Sequence, residues 1–199
     1  MDTLRSRSCR LILPALACLL AAPSLHAATG TSYLPGAAET PGRNGAFFSS
    51  TLTITNVSWT AAYVSVGFIP YPEKPVPAPV SFVLAGGESQ AIEHVLASLF
   101  GLTADAGTLS VSSSSPLVLL LTTSNIADSA GTYGLSLQPV ASDAALKAGE
   151  TGHAVWASQS ADTAKGYRTN VSVTLLDPGS SVDARVFDER GLPLSLIHI

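Results

Sequence analysis

Cysteine is nearly missing from this chain. Its 199 residues hold 2, Cys9 and Cys18, and both lie among the first 27. Charge is scarce as well: 12% of the residues are Asp, Glu, Lys or Arg, and no stretch gathers the basic ones. That distribution argues against nucleic acid as a partner, because phosphate binding needs a concentrated basic surface. No apolar run reaches the roughly 20 residues of a membrane-spanning helix. HxxxH, CxxC, GxSxG and DxDxDG spacings are all lacking, so no zinc ligand set, nucleophilic serine elbow or calcium loop is marked.

What is present begins with an export signal. Arg5, Arg7 and Arg10 make a basic start, Leu11 to Ala22 is an apolar run interrupted only by Pro14, and SLHA ends on the small residue Ala27. This is the pattern of a cleaved secretory leader over residues 1–27. Cys18 suggests a rival, the acylated cysteine of a lipoprotein, but Ala15-Leu16-Ala17 fits that signal poorly and the apolar run continues past it. Cleavage after Ala27 leaves 172 of 199 residues and no cysteine, so the exported chain cannot form a disulfide and depends on its core. Without Arg5, Arg7, Arg10 and Asp2, the 10 basic and 14 acidic residues become 7 and 13, a net charge of −6.

Ser, Thr, Ala, Gly and Val fill the rest, and apolar residues alternate with period 2. In Ser50 to Asn56, Leu52 and Ile54 share a face; in Tyr63 to Ile69, Val64, Val66 and Phe68 do. The prolines of IPYPEKPVPAPV exclude a central strand and predict a stiff loop before a strand over Val80 to Leu84. Ile92, Val95, Leu96, Leu99 and Phe100 form one apolar stripe, predicting a helix over Glu93 to Phe100 with an onset as early as Ser89 and a stop at Gly101. Further strands are predicted over Thr108 to Ser112 and Leu117 to Thr123, joined as a hairpin at Ser113 to Pro116, then over Tyr133 to Val140. Leu117 to Leu121, apolar on both faces, reads as an innermost strand. Seven or so short strands and one small helix predict an all-β fold, an immunoglobulin-like β-sandwich.

FSSTLTIT, Phe48 to Thr55, is echoed by YRTNVSVT, Tyr167 to Thr174, at an offset of 119 residues. The echo divides the exported chain into a first sandwich unit, 28–150, and the start of a second copy, 151–199, which stops inside what reads as a strand at Leu192 to Ile199. The terminal LSLIHI resembles an adapter read-through tail on a fragmentary reading frame. GRNGAFFSSTLTITN, LAGGESQAIEHVLASLFG, TLSVSSSSPLVLLL, GTYG and YRTNVSV together are similar to the repeat of uncharacterised secreted bacterial proteins. The resemblance implies tandem immunoglobulin-like β-sandwich modules and an exported setting. It brings no catalytic residues.

His94 on the polar side of the helix, His153 opening the second unit and His198 near the end read as surface histidines. Glu88, Glu93, Asp105 and Asp128 lack calcium-loop spacing. Asn56-Val57-Ser58 and Asn170-Val171-Ser172 match the glycosylation pattern by coincidence. The residues that offer a contact surface are aromatics near turns: Trp59, Tyr63, Tyr71, Tyr133 and Trp156, suited to stack on a sugar or anchor a protein. The expectation is a non-enzymatic secreted or cell-surface module with no cofactor, acting as spacer, adhesive or protein- or glycan-binding unit. The alternative is an accessory domain of an exported hydrolase.

Overall fold

The structure is a computed structural model and describes residues 28–42, 45–71, 74–127, 133–154, 171–177 and 179–198. It is all-β, built on one curled antiparallel sheet with a single short α-helix among these residues. In chain order the strands are β1 (Ala28–Pro41), β2 (Phe47–Asn56), β3 (Ala62–Pro70), β4 (Val80–Leu84) and β5 (Ser89–Ile92). The helix α1 (Val95–Phe100) follows, then β6 (Asp105–Asn125), β7 (Gly134–Leu137) and β8 (Val140–Ala141). A separate hairpin, β9 (Asp183–Phe187) and β10 (Pro193–His198), closes the chain.

The curl is a consequence of β6. Its first half lies between β3 and β1, with Ser110 opposite both Gly67 and Tyr33. Its second half lies between β2 and β7, with Thr122 opposite both Thr51 and Ser136. The neighbour on one side changes from β3, last paired at Ser113, to β2, first paired at Leu117. The expected hairpin at Ser113 to Pro116 is therefore not formed, and the 21 residues run on as one strand. Pro116 has no N–H to give a ladder, and Ser113 Oγ accepts from the Ser115 N–H at 3.2 Å, so the transfer segment keeps its polar groups satisfied without a turn. Because β1 also pairs with both β6 and β2, the sheet folds over on itself around one interior.

β1 carries none of the alternation that marks a strand in sequence. Between Pro35 and Ala37 its register against β6 slips by one residue, and Gly36 takes φ +86° at the bulge. The polar debt of the bulge is met from inside: Thr123 Oγ1 donates to the Gly36 carbonyl at 2.9 Å, and Ser50 Oγ accepts from the Ala38 N–H at 2.8 Å. Downstream the alternation holds as expected. Leu52 and Ile54 of β2, and Val64, Val66 and Phe68 of β3, all point into the core. Leu117, Leu119 and Leu121 do so as well, but Leu120 is 38% exposed, so this part of β6 buries one face and not both.

Helix α1 closes one side of the curl. Val95 and Leu96 are buried, Leu99 and Phe100 pack against the core, and the Phe100 ring lies 5.9 Å from that of Phe68. Gly101, at φ +68°, ends the helix, and the Leu102 N–H reaches the Leu96 carbonyl at 3.2 Å. Ser89–Ile92, read from the apolar stripe as a possible helix onset, instead forms β5 along β2. Ile92 is buried there as a strand residue, since the end of a strand and the start of a helix can serve the same core.

Beyond the sheet, β9 and β10 pair through a turn in which Asp188 Oδ1 accepts from the Arg190 and Leu192 N–H groups. The expected strand at Tyr167 to Thr174 falls partly outside the described residues. Its remainder, 171–174, has no ladder partner among them and forms no strand. Thr174 Oγ1 lies 2.6 Å from Thr108 Oγ1.

Candidate functional site

The outer face of β3, β4 and the first half of β6 is set by the same alternation that builds the core. With Val64, Val66 and Phe82 turned inward, Tyr63, Ser65, Ser81, Val83, Ser112 and Ser114 are turned out. They line a shallow hollow of about 550 Å³ that contains no charged side chain. Tyr63 rises at one end, 72% exposed, and its N–H donates to Ser114 Oγ at 3.0 Å. Ser81 Oγ donates to Ser65 Oγ at 3.1 Å, and Ser112 Oγ lies 2.9 Å from Thr31 Oγ1, forming a band of hydroxyls across the strands.

Trp59 stands fully exposed in the loop just before β3. That loop is held from below by Asn56, whose amide donates to the carbonyls of Thr60, Leu84 and Ala85 and accepts from Ser58. The amide nitrogen of this sequence triplet is thus buried in the fold and turned away from any glycosylating enzyme. The other aromatics go elsewhere. Tyr71 follows the far end of β3, roughly 26 Å along the strand from Tyr63, where it is half-buried with its hydroxyl 3.4 Å from Thr108 Oγ1. Tyr133 sits edge-on to Phe48 at 6.4 Å. Trp156 lies outside the described residues. Of the four that lie among the described residues, only Tyr63 lines the hollow.

A second cluster has no forerunner in the sequence reading. Glu39 of β1 and Ser49 of β2 are register partners, so their side chains share a face, and both are buried. His94, read from sequence as a surface residue, folds over them. Ser49 Oγ donates to Glu39 Oε2 at 2.8 Å; His94 Nδ1 lies 2.9 Å from Ser49 Oγ and 3.2 Å from Glu39 Oε1. The single proton of Ser49 is committed to Glu39, so toward the ring Ser49 can only accept. Nδ1 must then carry the hydrogen, which in the neutral ring leaves the lone pair on Nε2. A serine nucleophile would instead need its proton directed at Nε2 with the acid on the opposite nitrogen; here both oxygens meet Nδ1. This trio is built to orient an imidazole. His94, Glu93, Thr51, Thr122, Ser124 and Ile126 border a hollow of about 260 Å³ beside it.

The remaining acids are dispersed. Glu88 Oε2 accepts from the Ala85 N–H at 2.7 Å, Asp105 is paired with Lys74, and among the described residues no three metal-binding side chains come together.

No protein-family model matches the chain, and a search of curated proteins found no match. Solved structures do resemble it in part. A Thermotoga maritima protein, number 1070, superposes with a TM-score of 0.48 at 13% identity, covering 57% of this chain and 94% of that one. The Anabaena sensory rhodopsin transducer gives 0.39 at 20% identity, covering 50% and 92%. At these values neither bears on function.

Proposed function

We propose that the chain is a binding module of an exported or cell-surface protein and that its ligand is a neutral glycan held on the hydroxyl face beside Tyr63. The observation that carries the reading is that uncharged hollow, with a largely exposed tyrosine at its end and serines across its floor. A sugar ring offers one apolar CH face and a rim of hydroxyls. The tyrosine ring matches the first and the serine band the second. The volume lies within the usual 300 to 1,000 Å³ range of ligand sites, and the absence of charge selects against acidic sugars. An exported setting rests on the leader-like start, Arg5 to Ala27. No helix among the described residues is long and apolar enough to cross a membrane.

The test is titration of neutral oligosaccharides into the chain from Ala28 onward, by calorimetry, with Tyr63→Ala beside the parent. Tyr63 is exposed, so the variant is expected to keep its melting temperature and lose at least about tenfold in affinity, or 1.4 kcal/mol. Binding that survives Tyr63→Ala unchanged would place the ligand elsewhere, and the absence of binding across neutral glycans would refute the reading. The same face would serve an accessory domain of a hydrolase, and a motif-bearing catalytic domain in the natural coding sequence would favour that setting.

A further inference from the structure

We propose that the glycan held on the Tyr63 face is an extended, unbranched chain of β-1,4-linked neutral sugars lying across the strands, about one sugar to each strand. The inference rests on the reading of that face as a glycan site and adds the shape and direction of the ligand. Strand register carries it. Ser81 of β4 stands opposite Ser65 of β3, Ser65 opposite Ser112 of β6, and Ser112 opposite Thr31 of β1. Register partners point to one side of a sheet, so four hydroxyls form a single row at right angles to the strands. Three strand intervals make the row about 14 Å long. Two residues along, roughly 7 Å away, Tyr63 and Val83 are register partners in a parallel row, 72% and 55% exposed. The face thus carries a short apolar rail beside a longer hydroxyl rail, and both run across the sheet.

A β-1,4-linked chain is a ribbon with the same division, CH groups on its broad faces and hydroxyls along its edges. Laid across the strands, it sets a face on Tyr63 and Val83 and an edge on the serines. The row can meet it in both senses. Ser81 Oγ donates to Ser65 Oγ at 3.1 Å, and Ser112 Oγ and Thr31 Oγ1 share one hydrogen bond at 2.9 Å. Among the described residues each pair therefore keeps one hydrogen to give and three lone pairs to receive, and a sugar hydroxyl both donates and accepts. Twist fixes the form of the chain as well. Neighbouring strands rotate by roughly 20 to 25°, so the outward direction turns along the row. A single chain can turn with it, whereas the flat face of a crystalline bundle cannot. An α-1,4-linked chain coils and leaves a straight row after one or two sugars.

The experiment extends the calorimetric titration to β-1,4-linked gluco- and manno-oligosaccharides of two to six sugars, with α-1,4-linked gluco-oligosaccharides of equal length beside them. Because the row spans three strand intervals, affinity for at least one β-linked series should rise by about tenfold or more between two and four sugars and then level off. The α-linked series should stay weaker by about tenfold or more at four sugars. Ser65→Ala removes a hydroxyl from the middle of the row; it should keep the melting temperature and erase most of the gain with length. Ser136→Ala, at the exposed hydroxyl pair of Thr122 and Ser136, should change neither. Crystalline cellulose should bind no more tightly than the disaccharide. Equal affinity for the two linkages, no gain with length, tight adsorption to crystalline cellulose, or a Ser65→Ala titration matching the parent would overturn the extended single chain while Tyr63-dependent glycan binding stood. If no neutral glycan binds at any length, the reading of the face itself fails, and that outcome is distinct from each of the others.

Discussion

Asn56 is the residue whose replacement tests most about how the Tyr63 face is held. It ends β2, is fully buried, and ties three segments together: its amide nitrogen reaches the Thr60 carbonyl at 2.8 Å, Leu84 at 3.1 Å and Ala85 at 2.9 Å. Its Oδ1 accepts from the Ser58 N–H at 3.0 Å and the Ser58 hydroxyl at 2.7 Å. Two amide hydrogens cannot serve three carbonyls at full strength, so the five contacts amount to about four full bonds. At about 1 kcal/mol net each, Asn56→Ala should lose roughly 3 to 4 kcal/mol. For a chain of this size that lowers the melting midpoint by roughly 6 to 16 °C. Urea unfolding gives the free energy directly, with an unchanged slope expected if the folded state is otherwise intact. Asn56→Asp sharpens the test. It keeps the acceptor to Ser58 but turns an oxygen toward three carbonyls, so it should be at least as damaging as alanine despite being nearly isosteric. If Asn56→Asp were as stable as the parent, or Asn56→Ala lost less than about 1 kcal/mol, the loop carrying Trp59 would have to be held by something other than this side chain.

Two further substitutions probe the sheet itself. Ser32 Oγ is buried with no hydrogen-bond partner among the described residues, so Ser32→Ala should leave stability unchanged or raise it by up to about 1 kcal/mol in urea unfolding; a clear loss would mean that the hydroxyl has a partner after all. A β-carbon on Gly107 would stand 2.1 Å from the Ile69 carbonyl and 2.7 Å from the Phe68 ring, so Gly107→Ala should destabilise by roughly 1 to 3 kcal/mol, and a neutral result would show that β3 and β6 are less closely opposed than described.

How far the sequence reveals this fold depends on whether a local rule decides the outcome. In β2 and β3 it does: side chains on a strand alternate strictly, so Leu52, Ile54, Val64, Val66 and Phe68 could be assigned to the core from spacing alone. The same alternation exposes Tyr63 and the serines, which is why a candidate face was partly legible. In β1 the rule fails because the bulge at Gly36 breaks the period, and small residues such as Ala37 and Ala38 carry little hydrophobic signal. In β6 the run of serines before Pro116 has turn composition, but a strand that trades one neighbour for another also needs small polar residues that satisfy their own backbone. Composition cannot distinguish those two needs; only the identity of the partner strands can.

The His94 cluster was illegible for a different reason. Its parts are separated by 10 and 45 residues, from Glu39 to Ser49 and from Ser49 to His94, and they meet through a β1–β2 register that itself depends on an unpredicted strand. A helix-period reading places His94 on the polar side of α1 and stops there. What it misses is that the residue before a helix need not follow the helix: at φ +48° His94 turns its side chain back onto β2. The one clue in the sequence is Glu39 itself, a lone charged residue among Gly36, Ala37 and Ala38. A carboxylate in a stretch of small residues is easily taken for a solvent-facing group. Once that stretch is known to be an inner strand, the same carboxylate must find a partner, and the search for it leads to His94.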